Sequence, residues 1–199
     1  MMVNLEFAKS PLGGAKYGSA DKAVLIQEVA FTPGFDLRVN PDSTAFLETV
    51  AALGLVLPTT VGQVTRSNAD CIAGDELPAA GGVSALCLGP DWWYLTGTAD
   101  IQALLKPVQE SHHISLVDVS SQRTKIEIYG PSAKDVLAHY WEQDLRDEHF
   151  PIDACSQGVL AKAPLIMWHC CENCYLLFPR ASFAKHLWTA LTDAAVEYL

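Results

Sequence analysis

Val83-Ser84-Ala85-Leu86-Cys87-Leu88-Gly89-Pro90-Asp91-Trp92-Trp93-Tyr94-Leu95 reads as strand, turn, strand. Two apolar runs flank a three-residue turn that is too short for a crossover helix, so the strands pair antiparallel. Upstream, residues 24–29 read as a strand, and residues 35–39 as a second after the Thr32-Pro33-Gly34 turn. Pro41-Asp42-Ser43 opens a helix whose Phe46, Leu47, Val50 and Leu53 recur at helical spacing, with Gly54 as its cap. Downstream, Thr98 is expected to cap a helix bearing Ile101, Leu104 and Leu105. Residues 114–119 read as a strand, and 125–129 alternate polar with apolar as a half-buried strand does. Pro131 suits a first helical position, and Ala133, Val136, Leu137 and Tyr140 form the stripe that follows. Strands at 158–161, 165–170 and 175–178 come next, the last two a hairpin across Cys171-Glu172-Asn173, and a helix over 181–198 ends the chain. Hairpins interrupted by four helices predict an α+β fold, mostly antiparallel sheet with helices on one face.

The chain is 50% hydrophobic and 18% charged over 199 residues, enough apolar surface for a packed core and too little charge for a disordered segment. Thirteen Lys and Arg against 23 Asp and Glu leave a formal net charge of -10, which argues against nucleic acid and anionic membranes as partners. No signal peptide or membrane span is apparent, so the expected location is cytoplasmic, with the cysteines as thiols. Residues 1–20, with Ser10-Pro11, Gly13-Gly14 and Gly18 and no periodicity, read as an extended arm. Residues 21–199 read as one α+β domain, in which the similar order of elements allows two related lobes, 21–110 and 111–199.

A search for chemistry finds fragments. Cys171 and Cys174 form a CxxC preceded by His169-Cys170, but zinc commonly takes four ligands from two such pairs, and strand alternation sends neighbours to opposite faces. No helix follows Cys174 to lower a thiol pKa as in thioredoxin-like sites. The six cysteines are therefore read as ordinary thiols, with a metal or redox module as an alternative. No GxGxxG and no Gly-x-Ser-x-Gly elbow occurs. His112-His113 are adjacent and point apart on a strand, and His139, His149 and His186 fall near helix ends or loops. Asp118 and Arg123 bracket a turn that an ion pair could clamp; Arg123 could equally read a carboxylate. No catalytic, cofactor-binding or metal residue is assigned.

Ordered blocks point further. They are Leu88-Gly89-Pro90-Asp91-Trp92-Trp93-Tyr94-Leu95, Val117-Asp118-Val119-Ser120-Ser121-Gln122-Arg123-Thr124, and Gly130-Pro131-Ser132-Ala133-Lys134-Asp135-Val136-Leu137-Ala138. Phe150-Pro151, Ala161-Lys162-Ala163-Pro164 and Phe178-Pro179-Arg180-Ala181-Ser182-Phe183-Ala184-Lys185-His186-Leu187-Trp188 follow. Together they resemble the gamma subunit of heterotetrameric sarcosine oxidase from about residue 20 to 198. The resemblance implies a fold like the amino-terminal region of glycine-cleavage T protein and a non-catalytic subunit beside a large alpha subunit. It implies FAD, FMN, NAD and tetrahydrofolate in the alpha and beta subunits and zinc in the small delta subunit. The complex would demethylate an N-methyl amine or amino acid oxidatively and pass the one-carbon unit to tetrahydrofolate. The sequence departs from the family at Trp93, over 140–148, and in the cysteine-rich run 169–174, which points to a relative acting on another secondary or tertiary amine. A stand-alone folate-binding one-carbon protein of T-protein type is the alternative. The expected partner contacts are Leu5 and Phe7 of the arm, Trp92 and Trp93, of which alternation sends one outward, and Arg123.

Overall fold

A computed structural model describes residues 9–19, 21–29, 31–67 and 82–199. In chain order these residues form β1 (Lys16–Gly18), β2 (Leu25–Val29), β3 (Gly34–Arg38), α1 (Thr44–Leu53), β4 (Val64–Arg66), β5 (Val83–Gly89) and β6 (Trp92–Gly97). Then come α2 (Ile101–Ser111), β7 (Ser115–Asp118), β8 (Lys125–Tyr129), α3 (Ala133–Ala138), β9 (Cys155–Leu160), β10 (Ala163–Cys171), β11 (Cys174–Pro179) and α4 (Ala184–Ala195). Local chemistry sets several ends. Ser43 accepts the Phe46 amide at the start of α1, and Gly54 closes it in the left-handed conformation at φ 61°. The cap of α2 is Asp100, whose Oδ1 accepts the Ala103 amide at 3.0 Å, and not the expected Thr98, whose hydroxyl receives the Gly82 amide instead.

All strand pairs are antiparallel and form two sheets. One runs β1-β2-β8-β11-β10-β9, the other β4-β5-β6-β3-β7. They stack face to face, each with two helices on its outer side, so the fold is the expected α+β class in four layers. Three apolar clusters fill the three gaps. Val24, Ile26, Ile126, Met167 and Leu177 pack against Val136, Leu187 and Leu191 of α3 and α4. Phe35, Leu37, Trp93 and Leu95 pack against Phe46 and Leu105 of α1 and α2. Leu86, Tyr94, Ile166, Trp168 and Phe178 meet between the sheets. Period-two alternation explains the sorting: Leu165 and Met167 face the helices, while Ile166 and Trp168 face the other sheet.

The sheets do not follow the halves 21–110 and 111–199. β2 leaves the first half to pair with β8, and β7 leaves the second half to pair with β3. This exchange ties both sheets together across the two halves. The arm expected over 1–20 also ends earlier, because Lys16–Gly18 adds an edge strand to β2. Glu28, 7% exposed, holds the segment before it: its carboxylate accepts from the Ser10 hydroxyl, the Leu12 amide at 3.3 Å, the Gly14 amide at 2.8 Å and the Thr124 hydroxyl at 2.8 Å. Among the described residues no helix is long and apolar enough to cross a membrane.

Candidate partner surface and a thiol cluster

Cross-strand partners share a face, and that rule defines a surface on the second sheet. Arg38 lies opposite Trp92 and Ser115, and Asp36 opposite Tyr94 and Val117. All six point toward the gap between the sheets. Over β4, β5 and β6 that gap is filled and Tyr94 is buried. Over β3 and β7 the same face is open: Arg38 and Ser115 are exposed, Asp36 and Trp92 half-buried, and Val117 is 51% exposed. Trp92 is held in place there. The Arg38 guanidinium stacks on its ring at 4.5 Å while bonding Asp91 at 2.9 Å, and the indole N–H donates to Asp36 at 3.3 Å.

Arg123 borders this face. Its Nη1 donates to the Phe178 carbonyl at 2.9 Å, its guanidinium carbon lies 5.9 Å from the Tyr94 ring, and its backbone bridges to Arg180. Its Nε is buried without a hydrogen-bond partner. Burial lowers the Arg123 pKa and raises that of the Tyr94 phenol. The expected Asp118–Arg123 clamp is not formed. Asp118 accepts the Ser120 amide at 2.9 Å, and Ser120 Oγ accepts the Gly34 amide at 3.0 Å, so a side-chain–backbone network shapes this turn.

Trp93 is corrected as a contact residue. Its ring is fully enclosed, tilted against Phe46 at 5.6 Å, and its indole N–H donates to the Pro58 carbonyl at 2.7 Å. Alternation correctly split the tryptophan pair, but it is Trp92 that reaches the surface. Leu5 and Phe7 lie outside the described residues, as does Cys71.

The second arrangement lies at the β10–β11 turn. Register shifts between His169, opposite Tyr175, and Cys171, opposite Cys174. The bulge inserts Cys170 and cancels the alternation that was expected to separate neighbouring cysteines. The sulfurs of Cys170, Cys171 and Cys174 consequently lie within 4.8 Å of one another, with Cys170 and Cys174 at 3.2 Å. Asn173, at φ 58°, closes the turn. Cys174 Sγ is 3.5 Å from Glu127 Oε1, and Glu127 Oε2 accepts from Gln27 at 2.6 Å. Glu127 and Gln27 come from β8 and β2, and no local sequence signal links them to the cysteines. His169 joins a different layer. Its ring stacks on Tyr175 at 4.5 Å, and Nδ1 meets the Phe150 carbonyl at 2.8 Å.

The two stacked antiparallel sheets with outer helices define a fold shared with a glycine cleavage system aminomethyltransferase T. The model overlays on the glycine cleavage system aminomethyltransferase T from Bartonella henselae with a TM-score of 0.56 at 12% identity, covering 82% of this chain and 44% of that one. At that identity the likeness concerns the fold alone. A chain of the heterotetrameric sarcosine oxidase from Corynebacterium sp. U-96, solved with pyrrole 2-carboxylate, overlays with a TM-score of 0.81 at 28% identity, covering 96% and 95% of the two chains. The sarcosine oxidase gamma subunit family model matches residues 40–197. The sarcosine oxidase subunit gamma of Corynebacterium sp. strain U-96 is 33% identical over 90% of this chain and 83% of that one, and that of an Arthrobacter species 30% identical over 91% and 84%. The chain belongs to the sarcosine oxidase gamma subunit family.

Proposed function

We propose that the chain is the non-catalytic gamma subunit of a sarcosine-oxidase-like heterotetramer that demethylates an N-methyl amine or amino acid. The observation that carries this reading is the end-to-end likeness to a chain of a heterotetrameric sarcosine oxidase, 96% of one and 95% of the other. In the proposed assembly the catalytic cofactors belong to the partners. A flavin-bearing beta subunit would take a hydride equivalent from the N-methyl group. The large alpha subunit would bind tetrahydrofolate, which would take up the one-carbon unit as methylenetetrahydrofolate and free the demethylated amine. FAD, FMN and NAD are assigned to these two subunits, and zinc to the small delta subunit. The setting proposed is cytoplasmic.

This chain's part is to bury surface against its partner, the large alpha subunit. The open face of the second sheet supplies what such contacts use: a half-buried Trp92 braced by Arg38, an exposed Val117, and Arg123 with an unmet buried donor. Co-expression with the alpha, beta and delta subunits of a heterotetrameric sarcosine oxidase tests the reading. A tagged chain is expected to bring down a yellow complex containing three further subunits. A chain that elutes alone, or that binds tetrahydrofolate at micromolar concentration by itself, overturns it.

A further inference from the structure

We propose that Cys170, Cys171, Cys174 and Glu127 form a structural zinc site in this chain. Three sulfurs of the β10–β11 turn lie within 4.8 Å of one another, and Glu127 of β8 brings its Oε1 to 3.5 Å from one of them, Cys174, as the fourth donor proposed.

The spacing fits a tetrahedral ion. With zinc–sulfur bonds of about 2.3 Å and zinc–oxygen bonds of about 2.0 Å, tetrahedral angles place two sulfurs about 3.8 Å apart, and a sulfur and an oxygen about 3.5 Å apart. The Cys174–Glu127 separation is 3.5 Å. Cys170 and Cys174, at 3.2 Å, part by about half an ångström to admit the ion, and the third sulfur, within 4.8 Å of them, closes by up to about an ångström. Three thiolates with one carboxylate suit zinc, a borderline ion, better than cuprous copper, which selects soft donors throughout.

The surroundings provide the support that metal sites require. Gln27 donates to Glu127 Oε2 at 2.6 Å and so orients the carboxylate, leaving Oε1 toward the sulfurs. Three thiolates and a carboxylate exceed the charge of the ion by two, and Lys125, two residues from Glu127 on β8 and so on the same face of the strand, is the cation placed to offset one of them. Cys171 is half-exposed at the turn and gives the ion a way in, while Cys170 and Cys174 are buried. On binding, the three thiols give up their protons to solvent and the ion loses its water ligands.

The full chain, purified reduced and with zinc, then dialysed, tests the proposal. Metal analysis is expected to find one zinc per chain, and cobalt substitution is expected to produce a thiolate-to-cobalt charge-transfer band in the near ultraviolet. Cys171→Ser and Cys174→Ser should lose both signals, whereas Cys155→Ser, altering a buried thiol elsewhere, should keep them. Cys171 is the safer variant because it is half-exposed, and circular dichroism checks its fold. Gln27→Ala should weaken zinc affinity by about 10- to 100-fold. A reduced chain without zinc, a Cys170–Cys174 disulfide in place of metal, or full zinc retained in both hairpin variants would overturn the assignment.

Discussion

Replacing Trp93 by alanine separates the core from the proposed partner surface. The ring is fully buried between β6 and the α1–α2 layer, where it touches Phe46, and its indole N–H donates to Pro58. Truncating a buried tryptophan costs about 3–5 kcal/mol, and the Pro58 carbonyl loses its donor as well. For a chain of this size each kcal/mol moves the melting temperature by about 2–4 °C, so a loss of about 4 kcal/mol lowers Tm by roughly 8–16 °C. Trp93→Phe keeps most of the ring and should cost about 1–2 kcal/mol, mainly the hydrogen bond. Trp92→Ala removes an exposed cation–π contact of about 0.5–1 kcal/mol and should shift Tm by only a few degrees. Its effect belongs in assembly, where loss of a hot-spot side chain costs about 2 kcal/mol, or roughly 30-fold in affinity. Scanning calorimetry and titration against the co-expressed partners read the two effects. A Trp93→Ala chain melting within 2 °C of the parent (roughly the shift of a minor surface change) would refute the core placement. Unchanged assembly by Trp92→Ala would refute the contact face.

Three further outcomes are expected. Glu28→Gln swaps a carboxylate that meets four donors for an amide that must aim N–H groups at some of them; a loss of about 2–3 kcal/mol and faster hydrogen exchange at residues 10–14 should follow, and unchanged protection there would contradict it. Hydrogen bonds from Arg146 hold the Asp144 carboxyl down at about 2. Because the folded value lies below the usual value of about 3.9, this contribution is present above pH ~4 and is lost as pH falls toward 2. Arg146→Ala should return the Asp144 titration, followed by NMR, to the ordinary range. Burial pushes the Cys155 thiol up to about 12, so alkylation at pH 8 should leave it unmodified in the folded chain and label it only after denaturation.

Much of the architecture was legible locally. The Gly89-Pro90-Asp91 turn and the Ser43 and Gly54 caps depend on neighbours a few residues away, and the structure keeps them; residues 125–129 do form a strand, but not the half-buried one expected, because Glu127 on its polar face is only 3% exposed. The family was legible for the same reason, since its blocks are short contiguous runs. Alternation also required that Trp92 and Trp93 part company. It did not say which ring faces inward, because that depends on where α1 and α2 pack.

What only the tertiary structure decided is non-local. The exchange of β2 and β7 between sheets joins residues about a hundred positions apart, such as Gln27 and Glu127, and no periodicity encodes such pairing. The open face over β3 and β7 lies outside the cluster that fills the gap between the sheets. The thiol cluster depends on a one-residue bulge that turns Cys170 toward Cys171 and Cys174, and on Glu127 arriving from another strand. The sequence by itself determined which residues carry strands, turns, helices and sulfur. Side-chain direction in a sheet reverses with a single-residue slip, so the grouping of those residues awaited the register set by the whole fold.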